Sequence, residues 1–328
     1  MKYRSFVITE EPSGIFNRDI KTLDTADLSQ NEVLIEVHFS SLNYKDALSA
    51  SGNKGITRKY PHTPGIDAAG IVISDKTNHF TEGQQVIITG YDLGMNTSGG
   101  FGEYISVPAA WVVPLPAGLT LKESMMLGTA GFTAALSLYH LLRCGQAPAN
   151  GPVLVTGATG GVGSLAIMLL NQAGFEVIAA SGKSDSYDYL LSLGASQILT
   201  REAVDDTSGK LLLRPRWAGA IDNVGGNILA TVLKGCSEHG NIASCGNALS
   251  PELHTSVFPF ILNGVTLIGI NSATTPMNLR TALWKKLSTE WKPAKLHSIA
   301  ETIPLEKLDE KIDLMLSGKN RGRIVVEH

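Results

Sequence analysis

The sequence has little cysteine, no excess of positive charge and no long uninterrupted apolar run. Its three cysteines, Cys144, Cys236 and Cys245, stand far apart and form no Cys-x-x-Cys pair. This spacing argues against a disulfide-rich scaffold and predicts free thiols in a reducing cytoplasm. The formal net charge of −3 argues against a general nucleic-acid binder, which would carry a basic surplus.

No apolar run reaches the roughly 20 residues of a membrane helix. Residues 1–7 enter a strand directly, without the apolar segment and cleavage site of a secretory signal. We therefore expect a cytoplasmic protein that contacts neither membrane nor nucleic acid. With 328 residues, 43% of them hydrophobic and 17% charged, the chain is long enough for two globular domains.

Glycine, by contrast, is plentiful, with 34 residues, and one glycine-rich segment is especially informative. Residues 153–163 read Val-Leu-Val-Thr-Gly-Ala-Thr-Gly-Gly-Val-Gly, and an apolar helical stretch follows from Ser164. Glycines at 157, 160 and 163 permit a sharp turn and let a pyrophosphate approach a helix N-terminus. The last of them also allows close packing of helix on strand. A strand before and a helix after indicate a dinucleotide site, the alternative being a glycine-rich turn without a ligand.

The next predicted strand, residues 175–180, indicates which dinucleotide is bound. An NAD site places an acidic residue about 20 positions beyond the glycines to bind the ribose hydroxyls. Here the chain reads Ser181-Gly182-Lys183-Ser184, and Arg201 follows the third predicted strand. A hydroxyl and two cations suit a 2′-phosphate, so we predict NADPH. For each cation taken alone, a solvated surface charge is the alternative.

The predicted secondary structure differs between the first part of the chain and the rest. Residues up to about 125 form short strands and turns, with a glycine-dense loop at 90–102, whereas strands and helices alternate afterwards. The alternation predicts a doubly wound parallel sheet of six strands. A last strand at 323–326 is predicted to return to the N-terminal domain. We predict an α/β protein with a β-rich domain of residues 1–125 with 273–328, and a nucleotide-binding domain of residues 126–272.

This organisation resembles the medium-chain dehydrogenase/reductase superfamily, which implies a GroES-like catalytic domain and a Rossmann domain. Zinc-containing members carry a Cys-x-x-Asp run, a Gly-His-Glu run and a third ligand near a helix entry. The corresponding segments here are Asn43-Tyr44-Lys45-Asp46, Gly65-Ile66-Asp67 and residues 127–131. None keeps the chemistry of a zinc ligand, so the resemblance implies a zinc-free member without a metal.

Within the zinc-free branch, the chain resembles the bacterial acrylyl-CoA reductases, whose members were often first described as quinone oxidoreductases. The resemblance covers essentially the whole chain and depends on an ordered series of motifs: residues 40–48, residues 129–134, Ser181-Gly182-Lys183, residues 189–196, Trp217–Asp222 and Thr275-Pro276.

The resemblance implies the roles of several residues. Tyr44 would reach toward the nicotinamide half of the cofactor. The turn Thr159-Gly160-Gly161-Val162 would hold the pyrophosphate, and Ser181-Gly182-Lys183 with Arg201 would hold the 2′-phosphate. Asn247, Ile261 and Ser272 match positions that line the cofactor in relatives. After Cys245-Gly246, relatives tend to have a small apolar, glycine-rich run, and this chain departs from it with Asn247-Ala248-Leu249-Ser250.

The implied reaction is reduction of acrylyl-CoA to propionyl-CoA, with a hydride delivered to the β-carbon and charge developing on the thioester oxygen. Tyr44 is the predicted group that orients the substrate or donates a proton, with Asn43 as a neutral hydrogen-bond donor and Asp46 nearby. The alternative is that Tyr44 only packs on the ring and solvent supplies the proton. Asp67 is predicted to be structural.

Other interpretations remain open at this point. The acceptor is alternatively a quinone or a small enal, or the protein is an NADPH-binding redox sensor without turnover. Basic residues Lys54, Arg58 and Lys59 either contact coenzyme A phosphates or belong to a solvated loop. A homodimer is expected because most soluble oligomers are two-fold dimers, and an edge strand at 265–270 offers one way to join two sheets.

Overall fold

The computed structural model describes residues 1–28 and 30–328, which form two compact units. Unit 1 comprises Met1–Thr129, Ser272–Lys292 and Leu296–His328. Unit 2 comprises Ala130–Asn271 and Pro293–Lys295.

Fifteen strands are assigned in the part of the chain that the structure describes. In chain order they are β1 (Lys2–Glu10), β2 (Phe16–Asp24), β3 (Val33–Leu42), β4 (Asp67–Asp75), β5 (Gln85–Thr89), β6 (Tyr104–Val107), β7 (Val113–Pro114), β8 (Val153–Val155), β9 (Val177–Ala180), β10 (Gln197–Leu199), β11 (Trp217–Asp222), β12 (Cys236–Ser244), β13 (Thr266–Gly269), β14 (Ala300–Pro304) and β15 (Arg323–Glu327).

The helices are mostly short. In chain order they are α1 (Tyr44–Ala50), α2 (Leu121–Arg143), α3 (Gly161–Gln172), α4 (Tyr187–Ser192), α5 (Gly226–Lys234), α6 (Phe258–Asn263), α7 (Met277–Leu287) and α8 (Leu308–Leu316).

Unit 1 is built on a seven-stranded sheet in the order β14-β15-β3-β4-β5-β7, with β6 also paired to β3 and a separate β1-β2 hairpin. The first residues of β3 alternate between buried and partly exposed positions, as expected for a strand with one face on a core. β15 pairs antiparallel with β3, which confirms the predicted return of the last strand. This pairing places Arg323 beside the end of β3, where α1 begins.

Unit 2 contains a six-stranded sheet in the order β10-β9-β8-β11-β12-β13, and every pairing in it is parallel. The order reverses between β8 and β11, which is the signature of a doubly wound nucleotide-binding sheet. β8, β9 and β11 are buried along their whole length, as central parallel strands should be. The predicted α/β fold class and six-stranded sheet are confirmed.

Several details differ from the sequence prediction. α1, α6 and β14 had no predicted counterpart. At 23 residues and a mean hydropathy of 1.3, α2 is long and apolar enough by length and composition to cross a membrane. However, 78% of its most apolar window is buried inside the protein, which is the behaviour of a core helix.

Candidate functional site

The glycine-rich turn after β8 leads into the N-terminus of α3. Gly157 has a positive φ of 57°, a conformation that favours glycine, and Gly160 is the residue that precedes the helix. A Cβ at Gly163 would overlap the carbonyl oxygen of Gly157, so only glycine allows the helix to approach the turn this closely. The N–H of Gly160 donates to Gly157 O at 3.0 Å, which closes the turn. Gly161 and Val162 begin α3, and the N–H groups of a first helical turn favour an anion.

Beside this turn, unit 2 contains a cleft of about 270 Å³. Its polar wall includes five predicted cofactor residues: Thr159, Ser181, Gly182, Lys183 and Arg201. Its apolar wall was not predicted and consists of Val204, Val224, Ile228, Ala248 and Leu249. An apolar slot next to a polar, cationic end is suited to a flat base with an attached phosphate.

The cationic end of the cleft is compact. The backbone N–H of Lys183 donates to Ser181 Oγ at 3.0 Å, which folds the loop after β9. A Cβ at Gly182 would lie 3.2 Å from Arg201 Nε, so the guanidinium lies against the loop at a glycine. No acidic side chain is among the described residues that line the cleft. The observed cleft therefore fits a phosphate at this end, with the charges needed to hold it.

A buried carboxylate that the sequence analysis did not single out supports the floor of the cleft. Thr156 Oγ1 donates to Asp222 Oδ1 at 2.6 Å, and the N–H of Gly225 donates to Asp222 Oδ2 at 2.9 Å. The N–H of Asn223 donates to Thr156 Oγ1 at 3.0 Å. Burial raises the pKa of Asp222. These contacts tie the end of β8 to the end of β11, and the only local signal was an acid at the end of a buried strand.

Three residues predicted from the resemblance lie elsewhere. Asn247 is exposed after β12 and does not line the cleft, although the next two residues, Ala248 and Leu249, do. Ile261 lies on α6 with 67% of its surface exposed, also away from the cleft lining. Ser272 belongs to unit 1, where its carbonyl oxygen accepts a hydrogen bond from Arg280 Nη2 at 2.9 Å.

The predicted catalytic residues Asn43 and Tyr44 lie at the start of α1 in unit 1. Tyr44 is the first residue of the helix and is 44% exposed. Asn43 precedes the helix, and its backbone N–H donates to Asp46 Oδ2 at 2.8 Å. Its side-chain Nδ2 donates to Ser41 O at 3.2 Å and to Asp67 Oδ2 at 2.8 Å. Both amide protons of Asn43 thus have acceptors within the protein, whereas Tyr44 faces solvent.

Asp67 is fully buried and accepts hydrogen bonds at both carboxylate oxygens. Ser41 Oγ donates to Oδ2 and Thr129 Oγ1 donates to Oδ1, each at 2.6 Å. The backbone N–H of Thr129 lies 2.9 Å from Oδ2 and 3.0 Å from Oδ1. Gly128, with a φ of 52°, interrupts α2 beside this carboxylate. Glycine is needed there because a Cβ would overlap Asp67 Oδ2. The predicted structural role of Asp67 agrees with this geometry.

Arg323 completes the buried network from β15. It is 3% exposed, and its Nη2 lies 3.7 Å from Asp67 Oδ2 and donates to Ser41 Oγ at 2.7 Å. Its Nη1 donates to Asn43 Oδ1 at 3.1 Å, and its Nε donates to Met126 O at 3.2 Å.

Asp46, which the sequence analysis placed near the catalytic pair, is fully buried. Its Oδ1 accepts from the N–H groups of Ile66 at 2.8 Å and Gly65 at 3.2 Å. Burial, and secondarily the neighbouring charge of Asp67, raises the pKa of Asp46 to about 7. Asp46 therefore fixes the start of α1 from within the core rather than facing a substrate.

The basic residues considered for binding coenzyme A are Lys54, Arg58 and Lys59, and Lys54 forms an ion pair within the protein. Lys54 Nζ lies 2.5 Å from Glu10 Oε2 and 4.7 Å from the ring centroid of Tyr60. Arg58 and Lys59 are exposed. An acid beside Lys54 lowers the positive potential that a phosphate would meet there.

The segments that correspond to zinc-ligand runs hold the polar network instead of metal ligands. Within residues 1–28 and 30–328, no group of three or more His, Cys, Asp or Glu side chains could hold a metal ion. The buried Asp67 and Asp46 are occupied by hydrogen bonds from the protein itself.

Two known family models match parts of this chain. The family model "Alcohol dehydrogenase GroES-like domain" matches residues 29–117, and the model "Zinc-binding dehydrogenase" matches residues 161–289. The Bacillus subtilis protein with the curated name "Putative quinone oxidoreductase YhfP" is 45% identical over 309 residues, covering 94% of each chain. Its crystal structure, with NAD bound, has a TM-score of 0.96 and covers 100% of each chain.

Two further relatives are similar over nearly the whole chain. Acrylyl-CoA reductase AcuI of Ruegeria pomeroyi is 40% identical over 318 residues, covering 97% of this chain and 96% of the relative. The crystal structure of the YhdH oxidoreductase of Salmonella enterica, in complex with NADP, has 39% identity, a TM-score of 0.96 and 99% coverage of each chain.

The doubly wound sheet, the glycine turn and the matching family models define an oxidoreductase of the medium-chain dehydrogenase/reductase superfamily. Within that superfamily, the chain belongs to the family of bacterial acrylyl-CoA reductases and related quinone oxidoreductases, which confirms the family predicted from its motifs.

Proposed function

We propose that this protein uses NADPH to reduce an activated C=C bond, with acrylyl-CoA giving propionyl-CoA. The observation that carries the proposal is the cleft of unit 2, whose phosphate-binding end holds Lys183 and Arg201 and no acid among its described lining residues. Similarity to AcuI over 97% of the chain supports the acceptor class.

The residues around the cleft divide the work of holding NADPH. The N-terminus of α3, with Gly161 and Val162, binds the pyrophosphate through backbone N–H groups, and Thr159 and Gly160 form the turn that leads into it. Ser181, Lys183 and Arg201 bind the 2′-phosphate, while Val224 and Ile228 pack on the adenine. When bound, the cofactor supplies the hydride. We also propose that Asn247, through its backbone, and Ile261 and Ser272 contact the cofactor outside this cleft, since none of the three lines it.

Tyr44 is our proposed catalytic residue. It is exposed at the start of α1, where a phenol can orient an acceptor or deliver the proton that the α-carbon needs after hydride addition. Asn43 was predicted to be a neutral donor to substrate, but its amide protons are directed to Ser41 O and Asp67. We therefore propose that Asn43 positions Tyr44 rather than touching the acceptor.

An acceptor screen tests the proposed function. NADPH oxidation is followed by absorbance at equal concentrations of acrylyl-CoA, benzoquinones and short enals. The proposal predicts the highest kcat/KM with acrylyl-CoA. A higher kcat/KM with a quinone would favour the quinone oxidoreductase activity that the name of YhfP describes. Stabilisation by NADPH without turnover of any acceptor would instead favour a redox sensor.

We also propose a homodimer formed through the edge of the unit 2 sheet. β13 is an edge strand, and the nearby chain exposes Val257 at 61%, Ile261 at 67% and Leu262 at 58%. An edge strand beside exposed apolar side chains is a surface that proteins usually cover. Light scattering of the wild type should give the mass of two chains, and Ile261→Glu should shift it toward one chain.

The two domains are proposed to have separate roles, and the protein is proposed to be cytoplasmic. We propose that residues 1–125 with 273–328 form a GroES-like catalytic domain and that residues 126–272 form an NADPH-binding domain. Reducing conditions in the cytoplasm suit its free cysteines.

A further inference from the structure

The residue directly before Tyr44 is held at both ends of its side chain. Asn43 Nδ2 donates to Asp67 Oδ2 at 2.8 Å, and Asn43 Oδ1 accepts from Arg323 Nη1 at 3.1 Å. An amide with a carboxylate on one side and a guanidinium on the other has a single favourable orientation. The Asn43 side chain is therefore clamped between two charged groups that are themselves buried.

The clamp, formed by Asp67 and Arg323 on the two ends of the Asn43 side chain, joins segments that are far apart in the sequence. Asp67 begins β4, and Arg323 begins β15. Buried charges are costly to desolvate, and a well-packed apolar cluster often provides equal stability. Here the two charges converge on Asn43 and on Ser41, at the point where β3 turns into α1.

Tyr44 is the exposed residue that directly follows the clamped Asn43. Asp46, Ala47, Ser49 and Ala50 of α1 are buried, whereas Tyr44 is 44% exposed. The backbone of Asn43 is also fixed, because its N–H donates to the buried Asp46. An exposed phenol would otherwise move over many arrangements, and loss of a reactive orientation is costly in rate.

We propose that Asp67 and Arg323 are positioning residues that act through Asn43 to hold Tyr44 in its reactive orientation. This inference rests on the proposed function, because it assigns Tyr44 to the reduction step. It gives the buried ion pair a role in turnover in addition to its role in packing.

The test removes the clamp but keeps both charged residues. In Asn43→Ala, Asp67 still accepts from Thr129 and Ser41, and Arg323 still donates to Met126 O and Ser41 Oγ, so the fold should persist. Ser49→Ala is the matched control, since it removes a buried 2.7 Å hydrogen bond to Thr57 at the other end of the same helix.

We expect Asn43→Ala to lower kcat with acrylyl-CoA roughly tenfold, with KM for NADPH within about twofold of wild type. Ser49→Ala should keep kcat within about twofold. In a Tyr44→Ala background, Asn43→Ala should have almost no further effect on kcat, because no side chain is left to position. Equal losses in Asn43→Ala and Ser49→Ala, or additive losses with Tyr44→Ala, would overturn the proposal.

A measurement without cofactor or acceptor separates this proposal from the proposed function. Hydrogen exchange of the free protein should be faster at the amides of residues 43–47 in Asn43→Ala, and unchanged there in Ser49→Ala. Unchanged exchange in Asn43→Ala would show that there is no clamp. Faster exchange in Asn43→Ala, in a protein whose wild type reduces no acceptor, would support the clamp and reject its role in this reaction.

Discussion

The two units arrange their polar and charged groups in different ways. In unit 2, the proposed cofactor cleft is open and its phosphate-binding parts are backbone N–H groups and cations at the ends of strands. In unit 1, the residues beneath Tyr44 form a closed network in which buried carboxylates and a buried guanidinium bind each other. The comparison shows that backbone-built sites leave a local sequence signature, whereas side-chain networks assembled from distant segments do not.

The largest expected effect breaks the backbone-built site. In Gly163→Ala, the new Cβ would overlap the Gly157 carbonyl oxygen, so the turn or the helix must move. We expect NADPH affinity, measured by fluorescence titration, to fall about a hundredfold, or the protein to lose stability. Gly269→Ala is the control, because no heavy atom lies within 4 Å of a Cβ there. Wild-type affinity and stability in Gly163→Ala would contradict this account of the turn.

The next effect concerns the charges at the rim of the same cleft. The double variant Lys183→Ala with Arg201→Ala removes the cations proposed for the 2′-phosphate, each worth about 1.5–3 kcal/mol as a charged hydrogen bond. The ratio of Kd for NADH to Kd for NADPH should therefore fall at least about tenfold, with little change in NADH affinity. Lys210→Ala, an exposed cation of the same unit, serves as the control. An unchanged ratio would remove the electrostatic basis of the cofactor assignment.

Both variants change parts of the cleft that could be predicted from the sequence. The glycine turn, the six-stranded sheet and the polar wall of the cleft follow from residues that are near one another in sequence, such as Ser181 to Lys183. The apolar wall was missed because Val204, Val224 and Leu249 come from three separate loops and have no shared spacing. α6 was missed because it is only six residues long and contains Pro259 near its start.

The hydrogen-bond network of unit 1 could not be predicted from the sequence for a similar reason. Asn43, Asp67, Thr129 and Arg323 are separated by tens to hundreds of residues. The pairing of β3 with β4 and β15 brings Asp67 and Arg323 to Asn43, and α2 adds Thr129. The sequence located Asn43 and Tyr44 through a family motif, but the partners that occupy the amide of Asn43 required the fold.

A further expected effect, on stability rather than on cofactor binding, is a change in pH dependence within unit 1. Because the pKa of folded Asp46 is raised from 3.8 to about 7, the folded state keeps a proton that the unfolded chain releases near pH 4. This group therefore makes the free energy of unfolding decrease as pH rises from about 4 to about 7. Asp46→Asn should remove that part of the slope in urea titrations at several pH values, even though the variant is less stable overall.

Asp75→Asn provides the control with the opposite sign. Hydrogen bonds from Thr77, His79 and Phe80 lower the pKa of Asp75 to about 2, so its contribution to stability is lost as pH falls below 4. This variant should leave the slope between pH 4 and pH 7 unchanged. An Asp46→Asn variant with the wild-type slope would show that Asp46 is ionised in the folded protein at pH 5.

The relative kcat/KM of wild-type protein for NADPH and NADH, with acrylyl-CoA as acceptor, tests the central claim most directly. The cations at the end of the cleft predict a preference for NADPH of at least about tenfold, equivalent to about 1.4 kcal/mol. Equal use of both cofactors, or a preference for NADH, would contradict the claim that Lys183 and Arg201 bind a 2′-phosphate.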